Sequence, residues 1–189
     1  MPGERIAGVL LAAGAGVRFG GDKLAAEWRG QTLLQGACTA MLDAGLEPVL
    51  AVIQPGVERP LPTGVTPVCN DVWHTGMASS VRAGLAALRD NPDVRAAVIA
   101  PADQPWCGAP VYRRVVDAYL GSGHEVVVAG FDGAMRNPVL LARTQWDLAE
   151  RIGGDVGLSA VVRSLPPLTV ECADVGSITD IDSPVDLER

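Results

Sequence analysis

The chain has 189 residues, 48% of them apolar and 20% charged, with a net charge of −7. Such a composition excludes a disordered polypeptide, and no polar or low-complexity stretch divides the length, so residues 1–189 read as one domain. Basic residues are scattered, offering no continuous positive face to nucleic acid or an anionic membrane, and the expected partner is a small molecule.

In chain order, the Val/Ile/Leu-rich run at 5–12 reads as a first strand. Its apolar stretch is about half a membrane span, and Glu4 and Arg5 give it no charge excess, which argues against a secretory signal. A glycine-rich stretch follows, and 19–30 looks irregular. Helical periodicity then predicts helices at 32–44, 77–89, 110–120, 144–151 and 156–164. Apolar runs predict strands, most of them buried, at 48–53, 65–69, 96–100, 125–129, 138–141 and 168–172. This alternation predicts an α/β fold of three layers, Rossmann-like, with helices on both faces of a mostly parallel sheet. Ligands should collect at the carboxyl ends of its strands. Asn137-Pro138 and Pro166-Pro167 mark strand starts and a place where one antiparallel strand enters. Cys38, Cys69, Cys107 and Cys172 form no CxxC pair and read as buried free thiols of a reducing cytoplasm.

The stretch from Leu11 to Lys23 carries the strongest chemical signal. Glycines 14, 16, 20 and 21 permit close approach, so that successive N–H groups converge on an anion, and Arg18 and Lys23 add positive charge. A triphosphate is the natural counterpart. A P-loop would need Ser or Thr after Lys23, where Leu24 stands, and a dinucleotide fingerprint would need an acidic residue after the second strand, where Gln54 stands. A turn with no ligand is the plain alternative, but it gives no reason for four glycines and two spaced cations. Further on, Asp103 stands just past the strand at 96–100. A carboxylate there can hold Mg2+ against phosphate oxygens, or it can simply start a turn before Pro105.

Leu11-Ala12-Ala13-Gly14-Ala15-Gly16-Val17-Arg18-Phe19-Gly20-Gly21-Asp22-Lys23 resembles the signature loop of the MobA-like nucleotidyltransferases, especially the molybdenum cofactor cytidylyltransferases. Segments 70–85, 101–105, 137–141, 153–157 and 180–187 follow in that family's order over nearly the whole length. The resemblance implies a nucleotidyltransferase fold and a nucleotide site formed by Leu11, Ala12, Ala13, Gly14, Ala15, Gly16, Arg18, Lys23, Asn70, Ser79, Ser80 and Asp103. Ser80 matches a base contact, and Arg18, Lys23 and Asp103 match the catalytic set. Mg2+ is the implied cofactor, with Asp103 and Asp182 as its ligands, although Asp182 before Pro184 also suits a helix cap. Met77 reads as packing, and His74 and His124 as structural or surface groups.

The implied reaction is CMP transfer from CTP to a molybdopterin-type cofactor, with a molybdenum hydroxylase as a downstream partner. Ala13 and Asp103-Gln104-Pro105 resemble the cytidylyl branch, whereas Gly20-Gly21-Asp22-Lys23 is similar to the guanylyl form. The family's acceptor motifs are altered: Arg136-Asn137-Pro138 stands where Gly-His-Pro is common, and Leu158-Ser159 where Ala-Arg is. Three alternatives stay open: guanylyl transfer from GTP, a non-catalytic carrier of nucleotide or cofactor, and an NAD(P)H-dependent oxidoreductase on the same scaffold.

Overall fold

A computed structural model describes residues 4–14, 19–151, 153–154, 158, 162, 165–181 and 183–188. The described residues form nine strands: β1 (Arg5–Leu11), β2 (Glu27–Trp28), β3 (Gln31–Thr32), β4 (Val49–Ile53), β5 (Val65–Cys69), β6 (Val94–Pro101), β7 (Val126–Phe131), β8 (Ala134–Ala142) and β9 (Leu168–Glu171). The helices α1 (Leu33–Asp43), α2 (Met77–Leu88) and α3 (Ala109–Ser122) lie between them. Of the helix expected at 156–164, Leu158 and Val162 are described, and both are helical and buried. Among the described residues no helix is long and apolar enough to cross a membrane.

Seven strands make one sheet in the order β5-β4-β1-β6-β8-β7-β9. All pairings are parallel except those of β8, which runs antiparallel to both β6 and β7. The sheet is therefore mostly parallel with one reversed strand, as expected. Because helices cover both faces, the central strands are apolar on both sides. Along β1, Ile6 and Leu10 enter one core with Leu34, Cys38 and Met41 of α1 and Val111, Tyr112 and Val115 of α3. Ala7 and Val9, pointing the other way, join Val81, Leu85 and Leu88 of α2 together with Trp146 and Leu148.

Local chemistry sets the element ends. Thr32 opens α1 with a capping box: its hydroxyl accepts from the Gln35 N–H at 3.2 Å, and the Gln35 side chain accepts from the Thr32 N–H at 3.1 Å. Just before it, β2 and β3 pair through a two-residue turn in which Arg29 (φ 53°) and Gly30 (φ 83°) are both left-handed. That is the turn geometry that suits a tight hairpin, and it orders part of a stretch expected to be irregular. The segment Arg143–Arg151, expected as an α-helix, is a 3-10 helix. Trp146 and Ala149 are both buried there, and a spacing of three suits a three-residue turn. β5 is an edge strand with an exposed middle, which explains how Pro67 is accommodated. β8 starts at Ala134, earlier than expected, and contains a bulge: Val128 faces Val139 while Ala129 faces Arg136, which leaves Asn137 and Pro138 as extra residues.

Candidate active site

The chain reaches β1 first, builds β4 and β5 to one side of it, and then crosses to β6 on the other. A crevice opens where the winding reverses, at the carboxyl ends of the strands. It is a cleft of about 700 Å³, walled by Leu11 at the end of β1, Gln54 just past β4, Pro101 at the end of β6, and the segments around residues 21–24, 73–80 and 103–104, with Asn137 and Asp180. Asn137 reaches this wall from the bulge in β8.

In the cleft wall, Lys23 Nζ donates to Asp103 Oδ2 at 2.8 Å across 80 residues of sequence. Lys23 stands in the 3-10 turn Lys23–Ala25, whose cap is Asp22. Asp103 follows β6, held by two backbone bonds: the Ala102 N–H donates to the Leu11 carbonyl at 3.1 Å, and the Ile181 N–H to the Asp103 carbonyl at 3.1 Å. The lysine side chain is 10% exposed and the aspartate 32%. A cation buried to that degree is sustained by pairing. Asp103 keeps enough surface to meet a ligand.

The expected nucleotide residues fall into three groups. Leu11, Ala13, Gly14, Lys23, Ser80 and Asp103 line the cleft. Ala12, Asn70 and Ser79 are not among its lining residues. The Ala12 N–H donates to the Val52 carbonyl at 2.8 Å, and its own carbonyl accepts from Arg59. Asn70, itself buried, donates from Nδ2 to Ser79 Oγ at 2.8 Å and Ser80 Oγ at 3.1 Å, while its Oδ1 accepts from the Val72 N–H. This network fastens the start of α2 to the end of β5, with Ser80 as the member that reaches the cleft. Ala15, Gly16 and Arg18 lie outside the described residues, as does Asp182, expected as a metal ligand.

Several wall residues carry no sequence signal of their own. Gln54 and Arg59 come from the segment between β4 and β5, and their partners lie about 40 positions away, at Ala12–Gly14 and Asp22. Asp180 accepts a hydrogen bond from Gln104 Nε2 at 2.9 Å. His74, read from sequence as a structural or surface group, stands in the wall beside Trp73, to which its ring is edge-on at 6.2 Å. Met77, read from sequence as packing, is 39% exposed and lines the cleft. The left-handed Gly76 (φ 110°) that opens α2 turns the chain immediately before it.

The donor set bears on a metal. Among the described residues no three His, Cys, Asp or Glu side chains gather into a cage. Mg2+ does not need one, because it is commonly held by one or two carboxylates together with substrate phosphates and water. Asp103, a carboxylate beside a cleft with an ammonium next to it, fits that style of binding.

The MobA-like NTP transferase domain matches residues 8–169, and the chain belongs to that family. It is accordingly a nucleotidyltransferase. A nicotine blue oxidoreductase from Paenarthrobacter nicotinovorans is 29% identical over 203 residues, covering 94% of this chain and 92% of its own length. A probable molybdenum cofactor guanylyltransferase from Mycobacterium tuberculosis is 31% identical over 185 residues, covering 94% of this chain and 89% of its own. The crystal structure of Rv0371c from Mycobacterium tuberculosis superposes with a TM-score of 0.78 at 24% identity, over 100% of this chain and 98% of that one. A complex of Rv0371c with manganese gives 0.66 at 23%, over 89% and 87%. At such identities the structures show a shared fold.

Proposed function

We propose that the protein transfers CMP from CTP to the terminal phosphate of a molybdopterin-type cofactor in the cytoplasm, releases pyrophosphate, and passes the product to a molybdenum hydroxylase. The observation that carries this reading is the meeting of Lys23 and Asp103 in the cleft, 2.8 Å apart, beside the glycine stretch that leaves β1. A polyphosphate entering there meets an ammonium and a carboxylate together. Asp103 would hold Mg2+, with Asp182 as a second candidate, and the ion when bound supplies neutralisation of charge on the phosphate oxygens. The manganese complex of Rv0371c supports a divalent metal in relatives of this fold.

The chemistry asks little else of the side chains. An oxygen of the acceptor phosphate attacks the α-phosphorus, the bond from that phosphorus to the bridging oxygen of the β-phosphate breaks, and its electron pair leaves with pyrophosphate. A phosphate monoester is already anionic, so no strong base is required. The backbone from Gly14 through Ala15 to Gly16, with Arg18, is assigned to the triphosphate, Lys23 to the charge that develops on transfer, and Ser80 to the base edge. Ala13, 4% exposed in the cleft wall, supports a pyrimidine, because its methyl narrows the space for a base. Such steric selection is worth about 1–3 kcal/mol.

Guanylyl transfer from GTP is the second reading. It is supported by the relatives named as guanylyltransferases and by Gly20-Gly21-Asp22-Lys23. Pyrophosphate release with CTP or GTP, Mg2+ and a phosphate-bearing pterin acceptor tests both. Lys23→Ala and Asp103→Ala are expected to lower kcat by about 10²–10³ each. Full activity in both variants would remove the mechanism, and NAD(P)H oxidation in place of pyrophosphate release would favour the activity named in the Paenarthrobacter relative.

A further inference from the structure

One guanidinium ties together two points that flank the glycine stretch. Arg59, between β4 and β5, donates from Nη1 to the Ala12 carbonyl at 3.1 Å, directly after β1 ends. The same side chain grips the Asp22 carboxylate, with Nε to Oδ2 and Nη2 to Oδ1 both at 2.9 Å and Nε to Oδ1 at 3.2 Å. Gln54, the first residue after β4, adds bonds from Nε2 to the Ala13 carbonyl at 2.9 Å and the Gly14 carbonyl at 3.1 Å. Three successive carbonyls therefore receive their donors from one neighbouring segment. Asp22, held by Arg59, also accepts from the Ala25 N–H at 3.3 Å and so caps the turn that carries Lys23.

We infer that Arg59 and Gln54 form a clasp that preorganises the nucleotide site, by fixing the backbone at Ala12–Gly14 and the Asp22 carboxylate and thereby stationing Lys23 opposite Asp103. They are positioning residues. The Arg59 side chain is 8% exposed, its charge is matched by Asp22, and the two edges of its guanidinium are engaged by different groups, so it acts through the backbone it holds. Lysine has no planar fork and could keep the ion pair or the carbonyl bond, but not both in this geometry. The role differs from that of Lys23. A clasp lowers the cost of ordering the site before the ligand arrives, so its loss should weaken capture and leave turnover at saturation intact.

The inference rests on the nucleotide reading above, and two measurements separate them. With whichever of CTP or GTP the unaltered enzyme uses, Arg59→Ala is expected to raise KM for the nucleotide about 10- to 100-fold while kcat stays within about three-fold. Arg59→Lys should fall between, and Asp22→Asn combined with Arg59→Ala should be no worse than Arg59→Ala alone, because both remove one contact. An unchanged KM, losses that multiply, or an Asp22→Asn enzyme that binds nucleotide more tightly through a released guanidinium would overturn the clasp. The second measurement is hydrogen exchange of the ligand-free protein over residues 12–14 and 22–25, where Arg59→Ala should exchange faster than the unaltered chain while α1 does not. Faster exchange there in a protein that turns over neither nucleotide would sink the function and keep the clasp. Unchanged exchange beside normal turnover would do the reverse. If Arg59→Ala does not fold, Arg59→Lys and Gln54→Leu carry the same comparisons.

Discussion

Asp22 shows how a single residue can be readable in kind and unreadable in role. It stands in a motif that sequence marks for phosphate chemistry, yet its partner lies 37 positions on, in a segment with no motif. The Arg59 guanidinium holds the Asp22 carboxyl below its ordinary value, with hydrogen bonds from the Ala25 and Leu24 backbone acting in the same direction and partial burial opposing them. Since the folded value is depressed, the unfolded chain takes up the proton first. Asp22 therefore contributes stability above about pH 4, and the contribution is lost as pH falls through the folded value. Urea unfolding of the unaltered chain and Asp22→Asn should show a gap that is constant between about pH 7 and 5 and closes below about pH 4; a gap that widens in acid would contradict the pairing. Lys23 and Asp103 were easier to find, because each sits in a local pattern that phosphate chemistry explains. Their contact was not, since nothing local states that residues 80 apart meet.

Elements were legible where periodicity and caps agree. α1 runs from just after Thr32 to Asp43 because a capping box opens it, and β1 is visible as a continuous apolar run because both of its faces are covered. What periodicity does not reveal is how closely two elements approach. Gly84 brings α2 against β1 and β4: a Cβ there would stand 2.4 Å from Val9 Cγ1 and 3.2 Å from Val52 Cγ2, both on stiff β-branched side chains. Gly84→Ala should cost about 1–3 kcal/mol of stability. Gly8→Ala should cost less, because its nearest obstacle is Met41 Sδ at 2.8 Å, on a side chain that can turn aside. Denaturant midpoints of the two variants test the order, and equal losses would mean that α2 shifts as easily as a methionine rotates. The β2–β3 hairpin escaped sequence reading because its strands are two residues each, too short for any alternation, and its turn places a non-glycine residue, Arg29, in the left-handed region.

Across the whole molecule the four thiols report which side of the fold each segment takes. Cys38, Cys107 and Cys172 are buried, and Cys69, expected to be buried with them, is exposed at the end of the edge strand β5. Burial pushes Cys38 and Cys107 each up to about 12 and raises Cys172 as well. Cys69 is also raised, by desolvation and then by its bond to Asp71, but it alone is accessible. A chromogenic disulfide reagent at pH 8 should therefore modify one thiol in the native protein and four after unfolding; rapid reaction of three or four in the native state would contradict the sheet order. By itself, the sequence determined the α/β class, the parallel character of the sheet, the end of the strands at which the cleft opens, and the lysine and distant aspartate that line it. Those properties are written in neighbouring residues, as periodicity, caps and local charge. Only the tertiary structure decided that β5 is an edge, that a bulge in β8 carries Asn137 to the cleft, and that Arg59 and Gln54 hold the backbone from which the site is built. Each of these depends on which segments lie side by side, and strand order is set by crossovers whose destinations no local pattern specifies.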